Sequence, residues 1–203
     1  MSEVAAFLHP TSEEELVEVY TIDPSLVRPP LDTVDNQSKK VDIRVLQNTQ
    51  DGKKLTCLVA LYALAAEPIL DKDLERWLCD NRQLRGRPRE RAKVAVRVNF
   101  FVRTRFQNAG LASYLFGKEE NYFRRWGAKE IQIFATDKGR WVWTRPRFGY
   151  QIDDLEFKST QQKYKEWQRG RGIFPVVLAL RLSDFPSDFL LNEVSTLMLY
   201  KGL

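Results

Sequence analysis

The run Val94-Ala-Val-Arg-Val-Asn-Phe-Phe-Val-Arg-Thr-Arg-Phe-Gln-Asn-Ala-Gly110, continued by Leu111-Ala-Ser-Tyr-Leu-Phe116, changes period part-way along. From Val94 to Val102 every even position is apolar, whereas Arg97, Asn99 and Arg103 fall on the other side. That period of two predicts a strand with one buried face. Beyond Gly110 the apolar residues Leu111, Tyr114, Leu115, Tyr122 and Trp126 recur at steps of three and four, which predicts a helix that starts at the glycine turn and is closed by Gly127. The first amides of a helix have no intrahelical acceptor and sit at the positive end of the helix dipole, so a strand leading through small residues into a helix is an anion site in outline.

Around this unit, Lys129 to Ala135 (KEIQIFA) reads as the next strand and Phe148-Gly149-Tyr150 follows a short helical segment, Lys138 to Thr144. In that order and spacing, Gln107-x-x-Gly110-x-Ala112 resembles the Q/R-x-x-G-x-G/A pyrophosphate signature of the GNAT superfamily of acyl-CoA-dependent N-acyltransferases. The resemblance is specific over about Phe100 to Tyr150 and compatible in element order elsewhere. It implies an α/β fold, a mixed, mainly antiparallel sheet flanked by helices. The donor it implies is acetyl-CoA or a longer acyl-CoA, and the acceptor an amine of a small molecule or of a peptide or protein side chain.

Carried over residue by residue, the resemblance implies that the backbone of Phe101, Val102 and Arg103 binds the pantetheine arm. Amides from Asn108 through Ala109, Gly110, Leu111 and Ala112 would hold the pyrophosphate, with Gln107 opening the signature. The reaction, attack of a neutral amine on a thioester, needs a group to take the ammonium proton. Asp137, just past the second strand, is the nearest candidate, with Asp153, Asp154 and Glu156 as rivals, and Asp137 is also placed to cap the helix that follows. Many members have a tyrosine as general acid four residues before the glycine of Gly-Phe; here that position is Arg145, and Tyr150 is the available replacement. Trp141 and Trp143 stand where small residues are common. Two residues apart on a helix they project about 200° apart, so one at most, Trp143, lines an acyl or acceptor pocket with Arg145. The departure at Arg145 keeps a second reading open, a degenerate CoA-binding protein acting through its basic and aromatic surface.

A length of 203 residues suits one domain, 1–203, and 43% hydrophobic with 29% charged residues is globular composition. Net charge +5 and a pI near 9.2 favour anionic partners without choosing one. The basic run Arg82 to Arg91 (RQLRGRPRER) reads as a CoA-phosphate, RNA or acidic-peptide contact or as a solvated strand connection. It has no interleaved aromatics, which speaks against nucleic acid. Two cysteines, Cys57 and Cys79, suggest neither a disulfide framework nor a metal site, and the lone histidine, His9, lies outside the central unit. No apolar run approaches membrane-helix length and the acidic N-terminal stretch lacks a secretory pattern, so a cytoplasmic protein is expected.

In chain order, Ser12 opens a short helix to Tyr20, and Pro24 to Lys40 is a loop. Val41 to Leu46 and Leu55 to Ala65 form an antiparallel pair about Asp51-Gly52, although the second run also suits a buried helix. Asp71 caps a helix carrying Leu74, Trp77 and Leu78. Gln161 to Gly170 is a helix with Tyr164 and Trp167 inward, Phe174 to Leu182 (FPVVLALRL) a strand, and Ser187 to Met198 an amphipathic helix that packs on the body or on a second copy in a homodimer.

Overall fold

A computed structural model describes residues 19, 40–48, 54–62, 74–100, 102, 107 and 110–203, with the backbone alone over 40–48, 54–62, 74–78 and 80–81 and at 99. The described residues form two compact units, one reaching to Arg82 and resuming over Arg91–Lys129, the other made of Gln83–Glu90 and Glu130–Gly202. Most of the expected helix to Tyr20 and the proline-rich loop lie outside the described residues; Val19 is helical and buried.

In the first unit β1 (Lys40–Asn48) and β2 (Lys54–Tyr62) pair antiparallel, Lys40 opposite Tyr62 and Asn48 opposite Lys54, so the run after Asp51-Gly52 is strand rather than helix. β2 in turn pairs with β3 (Leu74–Leu84), Val59 opposite Leu74 and Lys54 opposite Cys79. This corrects the helix expected over Leu74, Trp77 and Leu78. Three apolar residues at helical steps are a weak signal, and backbone pairing with β2 outweighs it. β3 continues through a turn at Arg85-Gly86 into β4 (Arg87–Asn99), so the basic run is the tip of a hairpin, exposed over residues 86–91. Gly86 has φ 74°, and a Cβ there would come within 2.9 Å of the Tyr200 hydroxyl oxygen.

β4 was expected to bury one face only. Instead Val94, Ala95 and Val96 are fully buried and Arg97 is 3% exposed. The second face is covered by α1 (Leu111–Trp126), which buries Leu111, Leu115, Phe116, Tyr122, Phe123 and Trp126 as the period required. Facing Arg97 from α1 is Glu119, fully buried: Arg97 Nε donates to Glu119 Oε2 at 2.9 Å, and the guanidinium stacks 4.1 Å from the Phe116 ring centre. Gly127 (φ 87°) stops α1; its amide donates to the Arg124 carbonyl and that of Ala128 to Phe123, the two bonds of a Schellman stop.

In the second unit β7 (Leu197–Gly202) pairs antiparallel with β5 (Glu130–Ala135) and with the short β6 (Gln151–Ile152). α2 (Gly139–Val142) follows β5, and α3 (Asp154–Gly170) packs its buried Tyr164 among Phe185 and Phe189, ring centres 5.5 and 4.9 Å away. α4 (Ser187–Glu193) ends earlier than its periodicity suggested. The Arg140 guanidinium donates to the carbonyls of Leu191 at 2.9 Å and of Val194, satisfying the helix end, and Leu197 and Met198 enter β7 instead. A second correction concerns Phe174 to Leu182, which forms no strand: a 3-10 turn covers Leu182–Asp184 and the residues before it make no ladder. The α/β class holds, with helices beside the strands, and β1–β2, β2–β3, β5–β7 and β6–β7 are all antiparallel pairs.

Removing one partner of a buried ion pair leaves the other charge desolvated, at a cost of about 3–5 kcal/mol. Glu119→Ala is expected to destabilise the chain by that much in urea unfolding, whereas substitution of the exposed Glu90, which meets Arg87 at 3.4 Å on the surface, changes stability by less than about 0.5 kcal/mol. Similar small effects from both would show that the Arg97–Glu119 pair is not buried in solution.

Candidate functional site

The first unit carries the helix start. Gly110 precedes α1 with φ 78° and ψ −3°, a left-handed conformation that glycine adopts without a Cβ penalty. The first bond of the helix is Tyr114 N–H to Gly110 C=O at 3.0 Å, so the amides of Leu111, Ala112 and Ser113 have no acceptor inside the helix. No side chain caps this end and no acidic residue lies in the first turn. A negative side chain is favoured at such a terminus; here no described side chain supplies one. Leu111 is buried, Ala112 half-buried and Gly110 exposed, so the small residues of the turn are its open side.

Gln107 does not reach toward that open side. Its Nε2 donates to the Val102 carbonyl at 2.8 Å, tying the end of the strand segment to the start of the turn. Phe101, Arg103, Asn108 and Ala109 lie outside the described residues.

The second unit carries the remaining candidates. Asp137 is exposed in a tight turn with φ 46°, and its carbonyl accepts from Arg140 N–H at 3.2 Å and Arg140 Nε at 3.0 Å. The residue preceding α2 is Lys138, with no side-chain cap, so Asp137 contributes its backbone to this turn rather than a capping carboxylate. The rival carboxylates divide. Asp153 caps α3 by accepting from Glu156 N–H at 3.0 Å, and Glu156 accepts from Met198 N–H at 2.9 Å. Burial pushes the Glu156 carboxyl above its ordinary range, against the lowering effect of the Met198 bond. Asp154 is exposed.

Trp143 and Tyr150 are brought together. Trp143, 8% exposed, meets Phe148 and Tyr150 edge-on with ring centres 4.9 and 5.8 Å away, and Gly149 (φ 69°) supplies the bend between the latter two. Trp141 points outward, 38% exposed, with the Arg145 guanidinium 4.6 Å over its ring and Arg145 Nε donating to the Trp141 carbonyl at 3.3 Å. The two tryptophans thus diverge, as a helical segment dictates, and Arg145 is held to the outer one.

One polar cluster escaped sequence reasoning. Glu130, 5% exposed, accepts the Arg85 amide on both carboxylate oxygens at 3.0 and 3.1 Å and the Gln132 side-chain amide at 2.8 Å; Gln132 also donates to the Gln83 carbonyl. Burial raises the Glu130 carboxyl above its ordinary range despite these donors, and burial followed by the nearby Glu130 charge raises the Tyr200 phenol. The available signal was Glu130 and Gln132 at alternate positions of an otherwise apolar strand, which places both on one face. Through the Arg85 amide Glu130 holds the hairpin tip to β5, which makes it an anchor.

The chain matches no protein-family profile, and no curated protein is significantly similar to it in sequence. Among the described residues no helix is long and apolar enough to cross a membrane.

A carboxyl whose value is raised by folding binds its proton more tightly in the folded state, so its stabilising contribution is full below the unfolded value of 4.5 and is lost as pH rises through the folded one. Thermal melts from pH 4 upward should therefore show Glu130→Gln with a flatter decline in stability above 4.5 than the parent chain. An unchanged slope would mean that Glu130 is solvated.

Proposed function

We propose that this chain is an acyl-CoA-dependent N-acyltransferase, moving an acyl group from acetyl-CoA or a longer acyl-CoA to an amine on a small molecule or on a peptide or protein side chain. The observation that carries the reading is the start of α1, where left-handed Gly110 precedes three amides with no acceptor inside the helix and no described side chain or first-turn carboxylate caps them. Sites of this form take phosphate groups, and the negative charge of a pyrophosphate suits them. The GNAT resemblance of Gln107-x-x-Gly110-x-Ala112 supplies the acyl-CoA part of the reading, and the basic composition agrees with an anionic donor.

In the transfer the amine nitrogen bonds to the thioester carbonyl carbon, the C–S bond breaks, the thiolate of CoA leaves and the ammonium proton passes to a base. Asp137, exposed in the turn after β5, is the base in this reading, and Tyr150 is the proton donor to the thiolate. A thiol has an ordinary pKa of about 8.5 and leaves tolerably near neutral pH, so the acid assists rather than decides. Trp143 and Arg145 are the acceptor-side candidates. A second reading, binding without transfer, is favoured by one observation: Arg145, at the position of the family's usual acid, is stacked on Trp141.

Binding to the folded state alone raises stability by about 2.7 kcal/mol at a hundredfold excess over Kd, so CoA and acetyl-CoA should each raise the melting temperature by several degrees. Because Gly110 is left-handed, Gly110→Asn is the sharper variant: asparagine tolerates that backbone, while its side chain enters the space an anion would occupy. The expected result is at least a tenfold loss of CoA affinity with little change in the melting of the unliganded chain. An absent shift in the parent chain removes the basis for the proposal. A shift without amine-dependent release of free thiol, across small amines and lysine peptides, selects the second reading.

A further inference from the structure

The segment that follows Asp137 is basic throughout: from residue 138 to residue 152 it holds Lys138, Arg140, Arg145 and Arg147 and no carboxylate. Two of these arginines are held in opposite ways. Arg140 commits its whole guanidinium to backbone, with Nε donating to the Asp137 carbonyl at 3.0 Å, Nη1 to the carbonyls of Val194 and Ser195, and Nη2 to that of Leu191 at 2.9 Å. Nothing on it remains for a ligand.

Arg145 is fixed with fewer of its donors. Its Nε donates to the Trp141 carbonyl at 3.3 Å, and its guanidinium lies over the Trp141 ring, 4.6 Å from the ring centre. The same carbonyl accepts the hydroxyl of buried Thr144 at 2.7 Å, which ties this platform to the body of the second unit. Contact with a ring uses the face of a guanidinium and leaves its edge free to donate. Among the described residues neither Nη1 nor Nη2 of Arg145 meets an acceptor. Arg147, exposed with its guanidinium 4.7 Å from the Phe148 ring centre, adds positive charge beside it.

Two N–H donors in one plane match the two oxygens of a carboxylate, which they take as a bidentate pair. A freely rotating arginine gives up its rotamer freedom to make such a pair; Arg145 has already given it up to Trp141, and that preorganisation favours binding. Asp137 and Arg145 stand on either side of α2, whose four residues rise only about 6 Å. An ammonium at the first and a carboxylate at the second are groups that one small amino acid carries.

We propose that Arg145, braced on Trp141, binds the carboxylate of the acceptor, so that the amine acylated belongs to a small amino acid rather than to a simple alkylamine. The fate of the amine rests on the acyl-transfer reading above; the carboxylate contact does not.

Acceptors that differ only by the carboxylate test it. With acetyl-CoA as donor, γ-aminobutyrate should exceed propylamine, and lysine should exceed cadaverine, by about tenfold in kcat/KM, as expected for a hydrogen bond to a charged group, with the difference in KM. Arg145→Gln should bring the members of each pair close to equality at an unchanged melting temperature. Independently of transfer, the arginine Nε–H resonance that is lost in Arg145→Gln should shift saturably when the full chain is titrated with γ-aminobutyrate, and should not shift with propylamine. If that shift occurs while no amine is acylated, the carboxylate site stands and the transferase reading falls. Equal kcat/KM for both members of each pair in the parent chain overturns the proposal, and so does a preference that survives Arg145→Gln. It also falls if γ-aminobutyrate leaves the resonance in place, or if phosphoethanolamine saturates it at lower concentration, which would assign these donors to a phosphate.

Discussion

The left-handed backbone at Gly110 is the constraint from which the first unit follows. A residue with a Cβ costs about 1–2 kcal/mol in that conformation, and glycine avoids the cost. With φ 78° there, the chain enters α1 directly, and the helix presents Leu111, Leu115, Phe116, Tyr122, Phe123 and Trp126 to the interior. Burying that face also buries Glu119, which would be untenable without Arg97 on β4 at 2.9 Å. The turn that opens the amides of Leu111, Ala112 and Ser113 is therefore also the turn that sets which residues of the helix must find partners.

In the second unit the polar bonds do the comparable work. Glu130 ties the Arg85-Gly86 turn to β5, Glu156 ties α3 to β7 through the Met198 amide, and Arg140 closes α4 from across the turn at Asp137. Each is one charged side chain satisfying backbone groups that a sheet edge or a helix end would otherwise leave open. The same device appears in neutral form where Gln161 and Gln168 hold residues 177 and 179.

Local pattern carried far in this protein where a single element decided its own form. The strand from Val94, though not its single buried face, the Gly110-to-Gly127 helix, the strand at Lys129 to Ala135 and the antiparallel pairing of β1 with β2 were all legible, because period, cap and turn chemistry agreed within each stretch. The site was legible to the same depth: the glycine turn from its residues, and the divergence of Trp141 and Trp143 from helical geometry. Arg97 and Glu119 were not legible as a pair, since each reads alone as a surface charge and only the packing of α1 on β4 brings them together.

Sequence alone determined that a helix opens at Gly110 after a strand, that the chain is α/β, and that its net charge is +5, because those properties rest on composition and on neighbours along the chain. Tertiary structure decided the rest. Leu74, Trp77 and Leu78 became strand because β2 offered them a ladder, and Leu197 and Met198 because β5 did, although local spacing suited a helix in both. Phe174 to Leu182 has strand composition and no strand partner among the described residues, because a ladder needs a second backbone and no local preference can supply one.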